Sequence, residues 1–226
     1  MAEHKRRRLT GPGSIAVIGL GRFGSALART LVNLGHEVLG VDNDGERVAD
    51  LRDSLTHVVE ADTTDARALE QLGVAEFDRV VVAIGTDQEA SILTVAALAD
   101  IVIGDIWAKA ISETHGRILE RVGADHVVYP EAQMGERTAR LLDGRMLEFL
   151  ALDTGFALVE IQAPAPMIGR SLADIGVRAR FGVTVVCVKP EGGAFTYATA
   201  DTVLGEGDII VVAGETAKVE AIARLR

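Results

Sequence analysis

Gly19, Gly21 and Gly24 stand in the stretch Gly19-Leu20-Gly21-Arg22-Phe23-Gly24, where a short β-branched apolar run gives way to helical spacing. Three glycines at that spacing suit a phosphate. The first makes the tight turn, the second lets the backbone approach the ligand, and the third lets the helix lie close on the strand. The free amides at the helix start then favour an anion. Asp42 follows twenty-one residues after Gly21, at the end of the next apolar run, where a carboxylate can accept both hydroxyls of an adenosine ribose. Asp42 would repel a 2′-phosphate, and the Asn43, Asp44 and Gly45 that follow supply no immediate arginine, so NADP is disfavoured. The competing reading makes the glycines a plain turn and Asp42 a helix cap; the agreement of strand, glycines and acid favours the nucleotide.

Arg22 carries a planar five-donor fork between the second and third glycines, suited to a terminal phosphate, to a carboxylate or to solvent. The two phosphates of NAD are served by backbone amides alone, so ATP or ADP makes better use of it.

No other group of residues points to bond-making chemistry. None of the five histidines falls in a metal-binding spacing, and His4, His36, His57 and His126 read as structural or exposed. A lone Cys187 excludes an internal disulfide and a thiolate-held zinc or iron–sulfur centre. An NAD-dependent oxidoreductase, suggested by the glycine loop and Asp42 alone, needs a base and a substrate pocket. The residues after position 150 hold no histidine and no paired carboxylates flanking an apolar pocket pattern to supply them.

The elements that must hold these residues follow from the apolar pattern. SIAVIG, HEVLGVD, HVVEAD, RVVVAIG, DIWAKA and HVVYP are short β-branched runs separated by helical spacing, such as Phe23, Leu27, Leu31 and Leu34. Six strands with crossover helices predict an α/β domain: a Rossmann-like doubly wound parallel sheet over residues 14–145. The stretch EAQMGERTARLLDGRMLEFL reads as a helix interrupted at Gly144 that carries the chain out of the sheet. Residues 151–226 read as a small α+β module with strands at FALVEIQA, VTVVCVK and DIIVVAG and a last helix from ETAKVEAIARLR.

With 226 residues, 48% of them hydrophobic and only 5 prolines, the chain can bury a sizeable core and is not disordered in bulk. A net charge of −10 argues against a nucleic-acid partner held by phosphate neutralisation. No apolar run reaches the ~20 residues of a membrane span and the start lacks the stretch of a signal peptide, so a soluble chain is expected, and the lone Cys187 makes the cytoplasm its default location. Lys5, Arg6, Arg7 and Arg8 read as a solvated tail. SILTVAALADIVIG is apolar enough to meet another subunit.

GLGRFG, VDNDGE, VVAIGTDQEAS, DIWAKA and GADHVVYPEAQMGERTA, in that order, together with MIGRSLADIGVRARFGVTVVCVKPEGG and ADTVLGEGDIIVVAGE, resemble the regulatory subunits of bacterial Ktr/Trk potassium uptake systems. The resemblance spans residues 14–226 and implies an RCK (regulator of potassium conductance) domain with a C-terminal ligand-sensing module. It implies a non-enzymatic protein that forms a homo-octameric ring at the inner face of the membrane, beneath an integral-membrane potassium-translocating subunit. ATP and ADP would favour different ring shapes. NAD(H) is the second candidate ligand.

Carried over by residue, the resemblance makes Gly19, Leu20, Gly21, Arg22, Phe23 and Gly24 the phosphate loop and Asp42, Asn43 and Asp44 the ribose-binding strand end. It sets Asp62 and Thr63 beside the adenine, Ile84 and Gly85 in the loop after the fourth strand, and Lys109, His115 and Glu131 on the phosphate side. Glu131 would support a magnesium or sodium ion with the phosphates; its other reading is a helix-start carboxylate that satisfies orphan amides. In the C-terminal module Gly176 stands where the family carries a polar asparagine, a departure at the place where cyclic di-AMP binding would be implied.

Overall fold

The computed structural model describes residues 13–101 and 105–225. The basic residues 5–8 and the end of the apolar run at 102–104 lie outside them. The chain divides into two compact units, one ending at Ala132 and the other starting at Gln133.

The first unit is built on six parallel strands: β1 (Ser14–Ile18), β2 (Glu37–Asp42), β3 (His57–Glu60), β4 (Arg79–Val82), β5 (Asp105–Lys109) and β6 (His126–Val128), in the order β3-β2-β1-β4-β5-β6. Between them run α1 (Arg22–Asn33), α2 (Gly45–Leu51), α3 (Ala66–Gln71), α4 (Gln88–Ile101) and α5 (Glu113–Val122). Successive strand residues face opposite sides of a sheet, and both sides are buried here, which is why the strands read as unbroken apolar runs. Ile15, Val17 and Val38 pack with Ala28 of α1 and Leu51 of α2. Ala16, Ile18, Val80, Val82, Ile106 and Ala108 pack with Leu69, Val95, Leu98 and Leu119 of α3, α4 and α5. Strand order reverses between β1 and β4, and such a reversal opens a crevice at the carboxyl ends of the two strands.

α6 (Pro130–Leu142) follows β6, and Gly144 (φ +74°) lies just beyond its end. The second unit carries a five-stranded antiparallel sheet of β7 (Glu148–Asp153), β8 (Phe156–Gln162), β9 (Thr184–Lys189), β10 (Thr196–Tyr197) and β11 (Ile209–Glu215), in the order β10-β9-β11-β8-β7. Short helices α7 (Leu172–Ile175) and α8 (Val177–Phe181) and the last helix α9 (Thr216–Ala223) complete it. Val159, Ile161, Ile210 and Val212 pack with Ile175, Val219 and Ile222.

Two details differ from the sequence reading. The stretch read as one interrupted helix is helical only to Leu142, and its end is not: Glu148–Asp153 is the edge strand β7, with Phe149 buried opposite Val159. The two units divide inside α6 rather than after it, because its later turns are tied to the second unit. Arg137 pairs with Glu148, and Arg140 lies 4.3 Å from the Phe149 ring centre and 3.6 Å from Glu220. Among the described residues no helix is long and apolar enough to cross a membrane.

Candidate functional site

The loop between β1 and α1 is shaped by contacts that leave no room for side chains at two of its glycines. Gly19 has φ +92°, and a Cβ there would lie 2.9 Å from the Ile84 nitrogen. A Cβ on Gly24 would run into the Gly19 carbonyl oxygen and approach Ala83 Cβ at 3.2 Å. Around a Cβ on Gly21 there is nothing within 4 Å. The first two glycines are thus demanded by packing, and the third keeps a space open at the start of α1. No side chain caps that start, so its first-turn amides remain available to an anion.

Asp42, at the end of β2, is 5% exposed and fastens this loop. Its Oδ2 accepts the Leu20 amide at 2.5 Å, and its Oδ1 accepts the Asp44 amide at 3.0 Å. Asp44 caps α2 by accepting the Glu46 and Arg47 amides, while Asn43 is exposed. Arg47 extends back from the first turn of α2. Its Nη1 is 3.5 Å from Asp42 Oδ2 and its Nε 3.3 Å from Asp44 Oδ2. Sequence reasoning looked only at the three residues after Asp42 and missed this arginine. The signal that would have found it is the i,i+3 spacing of Asp44 and Arg47 on a helix whose cap was legible.

The loop after β3 is ordered by its own hydroxyls. The Thr64 hydroxyl and amide donate to Asp62 Oδ1 at 2.7 and 3.0 Å and hold that carboxyl below the usual carboxylate range. The Thr63 hydroxyl, buried, lies 3.1 Å from that of Thr94 on α4. Ile84 and Gly85 follow β4, beside Gly19 on one side and Lys109 on the other.

Lys109, at the end of β5, is 8% exposed. Its ammonium donates to Glu131 Oε1 at 2.7 Å, lies 5.7 Å from the Phe23 ring centre, and would be 2.6 Å from a Cβ on Gly85. Gly85 therefore provides the space in which the lysine lies. The Lys109 hydrogen bond draws the Glu131 carboxyl below its usual range, and the positive charges of Lys109 and Arg22 add to this. Arg22 itself is exposed and makes no ion pair among the described residues. Phe23, Gly85, Lys109 and Glu131 thus gather beside the glycine loop, with the Arg22 charge within reach.

His115 does not join them. Its ring is in the core at 1% exposure, with Nδ1 accepting the Ile111 amide at 3.4 Å and Nε2 buried without a partner. Burial lowers its pKa. The expectation that it lines the phosphate side followed the motif order, but the first turn of α5 turns this residue inward. As a metal ligand Glu131 stands alone: among the described residues no three of His, Cys, Asp and Glu gather into a metal site, and one of its oxygens already serves Lys109. A hard cation would need phosphate oxygens for most of its shell. In the second unit Gly176 adopts φ +63°, ending α7 and opening α8, a left-handed conformation that glycine and asparagine share most readily.

A parallel sheet in the order β3-β2-β1-β4-β5-β6, with a glycine loop after β1 and an acid at the end of β2, defines a Rossmann-like protein carrying a separate α+β unit. Residues 15–130 match the TrkA-N domain model, and residues 156–226 match the TrkA-C domain model. The chain is 37% identical over 200 residues to the Ktr system potassium uptake protein A of Bacillus subtilis, covering 88% of this chain and 90% of that one. It therefore belongs to the Ktr/Trk potassium uptake family. That relative is, by its name, a potassium uptake protein.

Among solved structures it resembles the GsuK RCK domain, with TM-score 0.64 and 23% identity over 96% of this chain and 48% of that one. It also resembles the GsuK channel bound to NAD, with TM-score 0.64 and 23% identity over 96% of this chain and 40% of that one. The chain thus spans half or less of these solved chains, and the likeness establishes the RCK fold.

Proposed function

We propose that this chain is a nucleotide-sensing regulatory subunit that gates an integral-membrane potassium-translocating partner from the cytoplasmic side. The observation that carries this reading is what stands at the carboxyl ends of the strands on the two sides of the glycine loop, where the strand order implies a crevice. At one end Gly21 holds open space beside free amides, Arg22 and Lys109; at the other lies the Asp42 carboxylate. An adenine nucleotide matches both ends. Its ribose hydroxyls would meet Asp42, its phosphates the glycine loop, and its base the loops carrying Asp62, Thr63 and Ile84. Arg22 favours ATP or ADP, because a terminal phosphate gives its fork something to grip. Membership of the Ktr/Trk family supports a potassium transport role. NAD(H) is the second reading, favoured by Asp42 and by the NAD bound in the GsuK channel.

The chain itself performs no bond-breaking step. One nucleotide binds one quaternary arrangement more tightly than another, and mass action shifts the population. That arrangement is a homo-octameric ring docked at the inner membrane face, to which the apolar α4, with Leu93 47% exposed, contributes an intersubunit surface. A magnesium or sodium ion would sit between the phosphates and the free oxygen of Glu131. Cyclic di-AMP is the proposed ligand of the second unit near Gly176.

The test is calorimetric titration of the purified chain with ATP, ADP and NADH, joined to light scattering in each ligand. ATP and ADP should both bind and give different scattering profiles. Arg22→Ala should weaken ATP by roughly tenfold to a hundredfold, the worth of hydrogen bonds to a charged group, and weaken NADH far less. Absence of ATP and ADP binding, or identical profiles with both, overturns the proposal.

A further inference from the structure

Among the described residues Arg47 is the one basic side chain that touches Asp42, and neither the glycine motif nor the family comparison assigns it a role. Its guanidinium spans Asp42 at 3.5 Å and Asp44 at 3.3 Å and is half exposed. Asp42, by contrast, is 5% exposed and already committed through both oxygens to the Leu20 and Asp44 amides. The acid is therefore fixed and the arginine movable. Arg47 is the exposed partner and reaches Asp42 only at 3.5 Å, while the Leu20 and Asp44 amides go on holding the Asp42 charge, so a competing anion can draw Arg47 away.

From this we propose that Arg47 sets the selectivity of the crevice at the ribose 2′ position. The inference rests on the adenine-nucleotide reading above and deepens it. With a 2′-hydroxyl, Arg47 remains on Asp42 and Asp44 and offsets their charge. With a 2′-phosphate, it leaves both carboxylates and grips the phosphate with its fork, screening the repulsion from Asp42 that the sequence alone implied. The crevice therefore accepts 2′-phosphorylated adenosines, because the arginine lies one helical turn further on than the residues that usually reveal such tolerance.

AMP and adenosine 2′,5′-bisphosphate differ only by the 2′-phosphate, which isolates the effect. Calorimetric titration of the full chain should find the bisphosphate bound within about tenfold of AMP. Arg47→Ala should weaken the bisphosphate by at least about tenfold, the loss expected for a charge-assisted contact, while changing AMP by less than about threefold. Arg47→Lys, which keeps the charge without the fork, should recover only part of the loss. Thermal unfolding of both variants serves as the control that the site is intact, as expected for a half-exposed side chain. Equal loss for both ligands would show that Arg47 only positions Asp42 and would overturn the proposal. So would a wild-type chain that takes AMP and rejects the bisphosphate. If ATP, ADP and AMP all fail to bind, the nucleotide reading falls and this inference with it; if ATP binds and the ratio of the two probes is insensitive to Arg47, this inference falls alone.

Discussion

The Lys109 ammonium meets the Glu131 carboxylate at 2.7 Å, joining the end of β5 to the first turn of α6. The lysine is nearly buried and the glutamate mostly exposed, so the pair neutralises a cation that would otherwise be costly to leave unpartnered. Phosphates arriving at Gly21 would compete with Glu131 for that ammonium, and a cation bridging phosphate to Glu131 would resolve the competition. Glu131→Gln should therefore leave ATP binding in chelator nearly intact and reduce the gain on adding magnesium by on the order of tenfold, as a lost ligand charge implies. Titrations with and without magnesium read this directly. The sign of the pH effect follows from the lowered pKa. The pair is complete above the ordinary glutamate value of 4.5 and is lost as pH falls through the lowered one, so its contribution should disappear only in acid.

Gly21 and Gly24 should separate folding from binding. Alanine at Gly24 meets the Gly19 carbonyl, an overpacking worth about 1–3 kcal/mol, and should lower the melting temperature by several degrees. Alanine at Gly21 meets nothing and keeps an ordinary φ of −63°, so the melting temperature should hold while nucleotide affinity falls. Scanning fluorimetry and calorimetry on the two variants distinguish these outcomes. Equal melting temperatures would contradict the packing argument.

His115 makes stability depend on pH near neutrality. Burial lowers its folded pKa, so the unfolded chain takes up the proton first. Stability should be complete above the ordinary histidine value of 6.5 and decline as pH falls below it toward the folded value. His115→Leu, which removes the titrating group and the unpartnered Nε2, should flatten that decline in calorimetric scans from pH 7.5 to pH 5, within the range where ordinary histidine titrates.

Gly176 offers a test in the second unit. Its left-handed backbone admits asparagine at low cost, whereas valine there should cost roughly 1–2 kcal/mol. Gly176→Asn should keep the melting temperature and, by supplying a side-chain amide at the proposed site, strengthen cyclic di-AMP binding in a titration. No change in cyclic di-AMP binding would place its recognition elsewhere.

The six strands of the first unit were legible because Ile15, Val17 and their equivalents are buried on both faces, which writes an uninterrupted β-branched run into the chain. The glycine loop was legible because only glycine fits at Gly19 and Gly24. The edge strand β7 was not. It lies at the sheet edge with only Phe149 buried, and MLEFL carries no β-branched residue, so nothing in the run marks it off from the helix before it. Arg47 escaped notice because its partner is set by the turn that Asp44 caps, a contact that appears only once β2 and α2 are placed. His115 was misplaced for a related reason: motif order gives a residue's neighbours along the chain but not the side of the helix it occupies.

Asp42 grips the Leu20 backbone within the same loop that Gly19 and Gly24 shape. Any replacement at that acid releases the loop's backbone anchor as well as the proposed ribose contact. A loss-of-function phenotype from a position-42 screen would thus mix architecture with recognition, and Arg22, which makes no ion pair among the described residues, is the cleaner place to read ligand sensing in living cells.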